Sequence, residues 1–295
     1  MFKEKVEFFF FNFFSFWIKL FGLKFARKIG KLLGTVLFYV LPIRKSTVLK
    51  NLAFAFPQKT KSELKSLAKK NYQSILITFF EFMYVPVSSK NEIMKLGDFE
   101  NLPLIKEISE SNKGTILFTA HFGNWELGAI AFGILIKKKL YVLAKKQSNT
   151  FVNNWLTKAR EVHGNKMIWL GPSIRNIIEV LKSGGVVGIV ADQRGPIDSP
   201  RINFFGRPTA FPIGSATIAA KTNANIIFLV IARKDDFSYK IIYEKVDNEK
   251  LSNETDKRAL EINQLYANFI EKVVKQNPEQ YFWMHNLWKY WWKKY

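Results

Sequence analysis

Two periodicities divide the chain near residue 114. Ahead of it, apolar positions recur mostly at helical spacing; beyond it, short apolar runs alternate with amphipathic stretches. The runs 116–119, 140–143, 167–170, 186–191, 226–231 and 239–243 read as strands. The stretches 126–136, 151–162, 174–183, 213–222 and 256–275 read as helices. Strands alternating with helices of this length predict a mainly parallel sheet covered on both faces. The expected fold class is therefore α/β, a mainly parallel central sheet flanked by helices, preceded by an N-terminal helical membrane-binding segment. No internal repeat or low-complexity linker divides the chain. Residues 44–295 read as one α/β domain and residues 1–43 as the anchoring segment.

The N-terminal pattern has two parts. Residues 8–18 are almost purely aromatic and aliphatic, a run too short for a comfortable span, which needs ~20 residues. Lys19 interrupts it, and no small-residue cleavage site follows. Beyond it, Phe21, Phe25, Ala26, Ile29, Leu32 and Leu33 fall within an arc of roughly 140° at helical period. Lys24, Arg27, Lys28 and Lys31 lie outside that arc, as in a helix lying among lipid headgroups. A soluble hairpin with its apolar face on the core, or one tilted span from Val6 onward, fits the same letters. A further apolar run, 32–41, stops at Pro42, and the next helix stops at Pro57. Ser62 is then a candidate N-cap for a long helix reaching about Met83.

Charge sharpens this picture. The 295 residues carry a net charge of +21 with a pI near 9.9, which points to a polyanionic partner. Nucleic acid fits poorly, because no nucleic-acid motif is present and the greasy N-terminus has no use there. The absence of Cys excludes disulfides and thiol nucleophiles, and no Gly-x-Ser-x-Gly elbow occurs. His163 and His285 lack ligand-like neighbours, so no metal is expected.

Candidate chemistry concentrates in His121-Phe-Gly-Asn-Trp-Glu126. His121 ends a strand, and Glu126 falls in the first turn of the next helix. Their spacing is wrong for one helix face, but a strand-to-helix turn can fold the carboxylate beneath the imidazole. That would be a general base with its orienting acid. A structural histidine, with Glu126 serving the helix dipole, is the plainer reading.

The same string resembles the signature of the lysophospholipid acyltransferase superfamily, and specifically its late acyltransferases of lipid A biosynthesis. Asn51-Leu-Ala-Phe-Ala-Phe-Pro57, Asp192-Gln193, the block from Phe204 to Ala219, and Pro278 to Lys289 resemble the family in the same chain order. The resemblance implies a glycerol-phosphate-acyltransferase-like fold at the cytoplasmic face of the bacterial inner membrane. It implies acyl transfer from a thioester, acyl carrier protein or CoA, to a hydroxyl of an anionic glycolipid or phospholipid, with no bound cofactor. His121 would be the base and Glu126 its orienter. Candidate substrate-binding residues are Asn124 within the string, Lys145 where the family usually has Arg, Asp192, Arg194 and Arg207. Phe204, Phe205 and Phe211 would line an apolar slot, and Gly214-Ser215 would open a helix toward an oxyanion or phosphate. Acyl carrier protein and anionic membrane lipid are the expected partners.

Overall fold

The computed structural model describes residues 2–99, 103–171 and 174–290. The sequence ends on Tyr290-Trp-Trp-Lys-Lys-Tyr295, a mix of aromatics and cations expected at a membrane interface, and residues 291–295 of it lie outside the described residues.

The N-terminal half of the pattern folds into three long helices, α1 (Phe2–Tyr39), α2 (Lys45–Ala55) and α3 (Lys61–Phe82). The run 8–18 and the amphipathic stretch join as one helix, bent at Gly22, whose φ of 71° suits glycine. At ~1.5 Å per residue the 38 residues of α1 sum to roughly 57 Å of helix, divided between the two segments that meet at Gly22. The stretch Glu4–Tyr39 is long and apolar enough to cross a membrane by length and composition, and little of it is buried. Phe9, Phe10, Phe13, Phe16, Leu20 and Phe21 are exposed along it.

The other face of α1 packs along α3. Phe11, Ile18 and Ala26 form one cluster with Phe80 and Met83. Gly30 and Gly34 allow the crossing. A Cβ at either would stand 2.8 Å or 2.6 Å from the α3 backbone at Ile77 and Gln73. The expected division of the amphipathic helix is therefore altered. Leu32 and Phe21 face outward, whereas Arg27 turns inward, its Nε donating to Glu81 Oε1 at 2.7 Å. The α3 cap also differs from expectation: Thr60, not Ser62, caps it, through a box with Glu63.

Two short helices, α4 (Lys90–Met94) and α5 (Pro103–Glu110), lead into the sheet. Its strands and helices follow as β1 (Thr115–Thr119), α6 (Trp125–Leu135), β2 (Leu140–Ala144), α7 (Thr150–Glu161), β3 (Lys166–Trp169), α8 (Ile174–Lys182) and β4 (Val186–Val190). Then come the hairpin β5 (Arg201–Phe204) and β6 (Arg207–Ala210), α9 (Gly214–Thr222), β7 (Asn225–Arg233), β8 (Tyr239–Lys245) and α10 (Thr255–Gln276). The sheet order is β3-β2-β4-β1-β7-β8, parallel except for β8. The predicted strands and helices of this half are present within a few residues.

Only the hairpin is new. Its turn, Phe205-Gly206, has both residues at positive φ, 53° and 71°, and Phe205 N donates to Glu271 Oε2 at 2.7 Å. A phenylalanine in that conformation hides the turn from sequence rules that expect Asn or Asp there.

Topology sets the site. The chain leaves β1 through α6 and passes to β2, and β4 later fills the place between them. The carboxyl ends of β1 and β4 therefore lie side by side, where open α/β sheets bind ligands. One sheet face, with Leu117, Val142 and Gly188 in register, looks toward α6. The opposite face packs Ile116, Phe118, Val187 and Ile189 in one core with Tyr266 and Ile270 of α10.

Candidate active site

His121 stands two residues past β1, and the turn after it is tightly built. Gly123 has φ 58°, and a Cβ there would fall 1.8 Å from the carbonyl oxygen of Ile231. Asn124 then caps α6, its side-chain oxygen accepting from Leu127 N at 3.0 Å. The Asn124 amide donates to Glu81 Oε2 at 3.0 Å, and the residue is wholly buried. Asn124 is thus part of the scaffold and does not reach a substrate. Glu81 is the hub of that scaffold. It takes Arg27 from α1, Arg233 from the end of β7, and the Tyr239 hydroxyl.

The carboxylate on the His121 ring belongs to Asp192. Nδ1 of His121 lies 2.7 Å from Asp192 Oδ1, and the His121 backbone N–H donates to Oδ2 at 2.9 Å. Asp192 is 3% exposed and the His121 side chain 18%. An ionised carboxylate only accepts, so Nδ1 carries the hydrogen and the neutral ring presents a lone pair at Nε2. The Gln193 amide nitrogen is 3.4 Å from that Nε2. Trp125 and Phe282 wall the ring, at centroid distances of 5.2 Å and 5.7 Å.

Glu126 is committed elsewhere. Its two oxygens accept from Arg160 Nη2 at 2.6 Å and Nε at 2.9 Å, a bidentate pair spanning the starts and ends of neighbouring helices. Glu126 therefore does not touch the imidazole, and the expected His121–Glu126 contact is replaced by two pairs, His121–Asp192 and Glu126–Arg160. The reason is reach: the α6 turn points Glu126 across to the last turn of α7. Arg160 was not identified from sequence; a cation in a helix's last turn normally reads as serving the helix dipole.

Burial disfavours the charged imidazolium, but the Asp192 carboxylate, with help from Glu126, outweighs burial, and the His121 pKa is raised above its usual 6.5. The sign follows for a base that must be neutral to act. Activity is expected to fall as pH drops through a value above 6.5. Asp192→Asn removes the stabilising charge, so its acid limb should move to lower pH. Profiles of kcat/KM against pH for both proteins check this; an unmoved limb would mean another group governs the ionisation.

From His121 an apolar slot of about 400 Å³ runs between the sheet and α6. Leu117, Phe132, Leu140, Val142 and Leu229 line its depth, and Gly188 leaves the middle of β4 without a side chain. At the mouth stand Glu126, Arg160, Lys145, Gln193, Arg194 and Ser215. The Ser215 position agrees with the expected opening of α9 toward the site. Lys145, exposed just past β2, and the half-buried Arg194 stand at the same mouth. Arg207 does not: its guanidinium sits 4.3 Å over the Phe54 ring, away from this cavity. Phe204 and Phe211 are buried in the core on the opposite side of the sheet, and Phe205 packs on Phe56 at 5.7 Å, so none of the three lines the slot. Their apolar character reflects core packing of the hairpin.

Known proteins resemble this chain along nearly all of it. It is 24% identical over 263 residues to the lipid A biosynthesis palmitoleoyltransferase of Escherichia coli K12, covering 88% of this chain and 84% of that protein. It is 24% identical over 265 residues to the lauroyltransferase of the same organism, covering 89% and 84%. A lipid A biosynthesis acyltransferase of Shigella flexneri matches at 24% over 263 residues, covering 88% and 84%. The profile of the bacterial lipid A biosynthesis acyltransferases matches residues 2–290, which includes the His121–Asp192 pair, the slot and the long N-terminal helix. With the profile spanning the whole described fold, the chain belongs to the bacterial lipid A biosynthesis acyltransferase family and is an O-acyltransferase.

Proposed function

We propose that the protein moves a fatty acyl chain from a carrier thioester, preferentially that of acyl carrier protein, to a hydroxyl of a lipid A precursor. The observation that carries this reading is a carboxylate-bound imidazole at the mouth of a deep apolar slot. The acyl chain lies in the slot with its thioester carbonyl beside His121. Nε2 takes the proton of the acceptor hydroxyl as its oxygen attacks the carbonyl carbon. The carbonyl electrons move to oxygen, and the oxyanion is met by donors at the mouth: the Gln193 amide, Lys145 and the N–H groups opening α9. Collapse expels the carrier thiolate, which takes the proton from Nε2. The products are an ester and a free thiol, and no protein nucleophile takes part.

Glu126 acts here through Arg160. It keeps that cation oriented at the mouth and adds a negative charge near the ring. The exposed face of α1 holds the enzyme on the cytoplasmic side of the inner membrane, and the excess of cations suits an acidic carrier and an anionic acceptor.

The test is transfer by purified protein from acyl carrier protein and CoA thioesters to a lipid A precursor and to a lysophospholipid, read by mass spectrometry. One acyl added to the precursor, faster from the carrier protein at low salt and less so at high salt, is the expected result. Exclusive acylation of the lysophospholipid would overturn the acceptor, and an acyl group found on a Ser or Thr of the protein would overturn direct attack.

A further inference from the structure

Beside the base lies a second group of side chains that the mechanism leaves unused. Arg44, between α1 and α2, donates from Nη1 to the carbonyl of Met284 at 3.1 Å. Arg194 donates from Nη1 to the carbonyl of Asn286 at 3.0 Å. The two guanidinium groups thus grip carbonyls two residues apart and flank His285. The His285 ring lies 6.1 Å from the His121 ring, centroid to centroid. Among the described residues, no carboxylate is within ion-pair distance of Arg44 or Arg194. The Nε of Arg194 is buried and has no hydrogen-bond partner. Arg194 also lines the mouth of the slot.

The one carboxylate that acts on this group, Asp192, is already held by His121, so two arginines and an imidazole leave room for something anionic to complete the set. Burial and the neighbouring charges of His121, Arg44 and Arg194 outweigh the opposing Asp192 carboxylate and hold the His285 pKa below its usual value, as expected where positive charge is in excess. The backbone is also unusual here. Arg44 is held at φ 55°, a left-handed conformation rare for residues other than glycine. Strain of this kind persists where surroundings over-determine it and is concentrated at ligand sites. The place fits a membrane-borne ligand: Leu41 and Ile43, just before Arg44, are exposed apolar residues.

We propose that Arg44, Arg194 and His285 form a subsite for a phosphoryl group of the acceptor lipid, which sets the acceptor hydroxyl against His121. Planar guanidinium forks match phosphate oxygens, and a phosphomonoester supplies the missing charge. The subsite rests on the reading of this cavity as an acyl-transfer site, and it adds two residues, Arg44 and His285, from the α1–α2 connection and the C-terminal turn.

The experiment compares the phosphorylated lipid A precursor with the same lipid after phosphatase treatment, for wild type, Arg44→Gly and Arg44→Lys. Glycine accepts the left-handed backbone at this position, so Arg44→Gly removes the side chain without forcing the fold. Binding in detergent micelles is read by native mass spectrometry, and turnover separately. Wild type is expected to prefer the phosphorylated lipid, and Arg44→Gly to lose at least ~10-fold of that preference, the scale of one charge-assisted bond. Arg44→Lys should restore part of it. An unchanged preference in Arg44→Gly overturns the subsite, because a side chain that only clamps the Met284 carbonyl would affect both lipids alike. Equal binding of both lipids by wild type, with inorganic phosphate alone bound and that binding lost in Arg44→Gly, would overturn the assignment to the lipid in favour of free phosphate. Absence of acyl transfer to any lipid would count against the function, while the binding arm would still decide the subsite.

Discussion

His121→Ala is expected to reduce acyl transfer by at least ~100-fold with the fold intact, the scale of losing a positioned general base. The ring is partly exposed and its loss opens no core cavity, so circular dichroism and the melting curve should change little. Asp192→Ala should be comparably severe for turnover, because the ring loses its charge partner at 2.7 Å and the acceptor of its own backbone N–H. Asp192→Ala should also destabilise the protein, since a part-buried N–H at His121 loses its acceptor. Glu126→Gln separates the two carboxylates. It weakens the bidentate hold on Arg160 but leaves the His121–Asp192 pair whole, so it should cost less than Asp192→Ala. Steady-state rates of the three variants, measured with one donor and one acceptor, check the order. Full turnover by His121→Ala would sink the mechanism, and a Glu126→Gln loss exceeding that of Asp192→Ala would return the orienting role to Glu126.

The second large effect concerns the depth of the slot. Gly188 sits in mid-strand, and a Cβ there would meet nothing closer than Leu140 Cδ1 at 3.7 Å and the Tyr141 carbonyl oxygen at 3.9 Å. The first carbon of a new side chain fits, and whatever follows it projects into the space given to the acyl chain. Gly188→Leu is therefore expected to cut kcat/KM for long acyl donors by ~10- to 200-fold while sparing donors several methylenes shorter, following the energetic worth of apolar pocket contacts. The sheet itself should tolerate the change, because leucine in a strand costs no backbone strain. A donor series of increasing length, assayed on both proteins, reads the result. A uniform loss at every length would mean that the variant disturbs β4 and that the slot does not hold the chain.

The parallel sheet was legible because its strands are short, apolar and separated by helices with clear periods. The position of His121 followed from a strand run meeting a helix run. Its partner was harder. Asp192 is 71 residues away, and it meets the ring only because β4 lies beside β1 in a sheet whose order the sequence does not spell out. Glu126 was near in the chain and therefore favoured, yet a local turn aimed it at Arg160. Arg27 shows the same limit from the other side. By helical period it belonged with the outward cations, but Glu81 on a helix far along the chain drew it inward. Both errors arise from long-range charge pairing, to which local periodicity is blind. The hairpin and Arg207 were misjudged because the Phe-rich block reads equally well as a pocket or as core.

The inward turn of Arg27 has a consequence for how the N-terminal helix relates to the α/β domain. Glu81 is almost fully buried and divides its two oxygens between Arg27 of α1 and a group that includes Arg233 and the Asn124 cap beside His121. Removing one member of a buried charge set costs about 3–5 kcal/mol. Trimming α1 for the sake of solubility would therefore leave Glu81 with Arg233 as its remaining arginine partner beneath the His121 turn, and the α3 surface that packs on Gly30 and Gly34 would lie bare. Grafting a foreign membrane helix in its place would have to reproduce both the small-residue seam and a cation at one position. The N-terminal helix behaves less like a tether that can be cut and replaced than like a wall of the building.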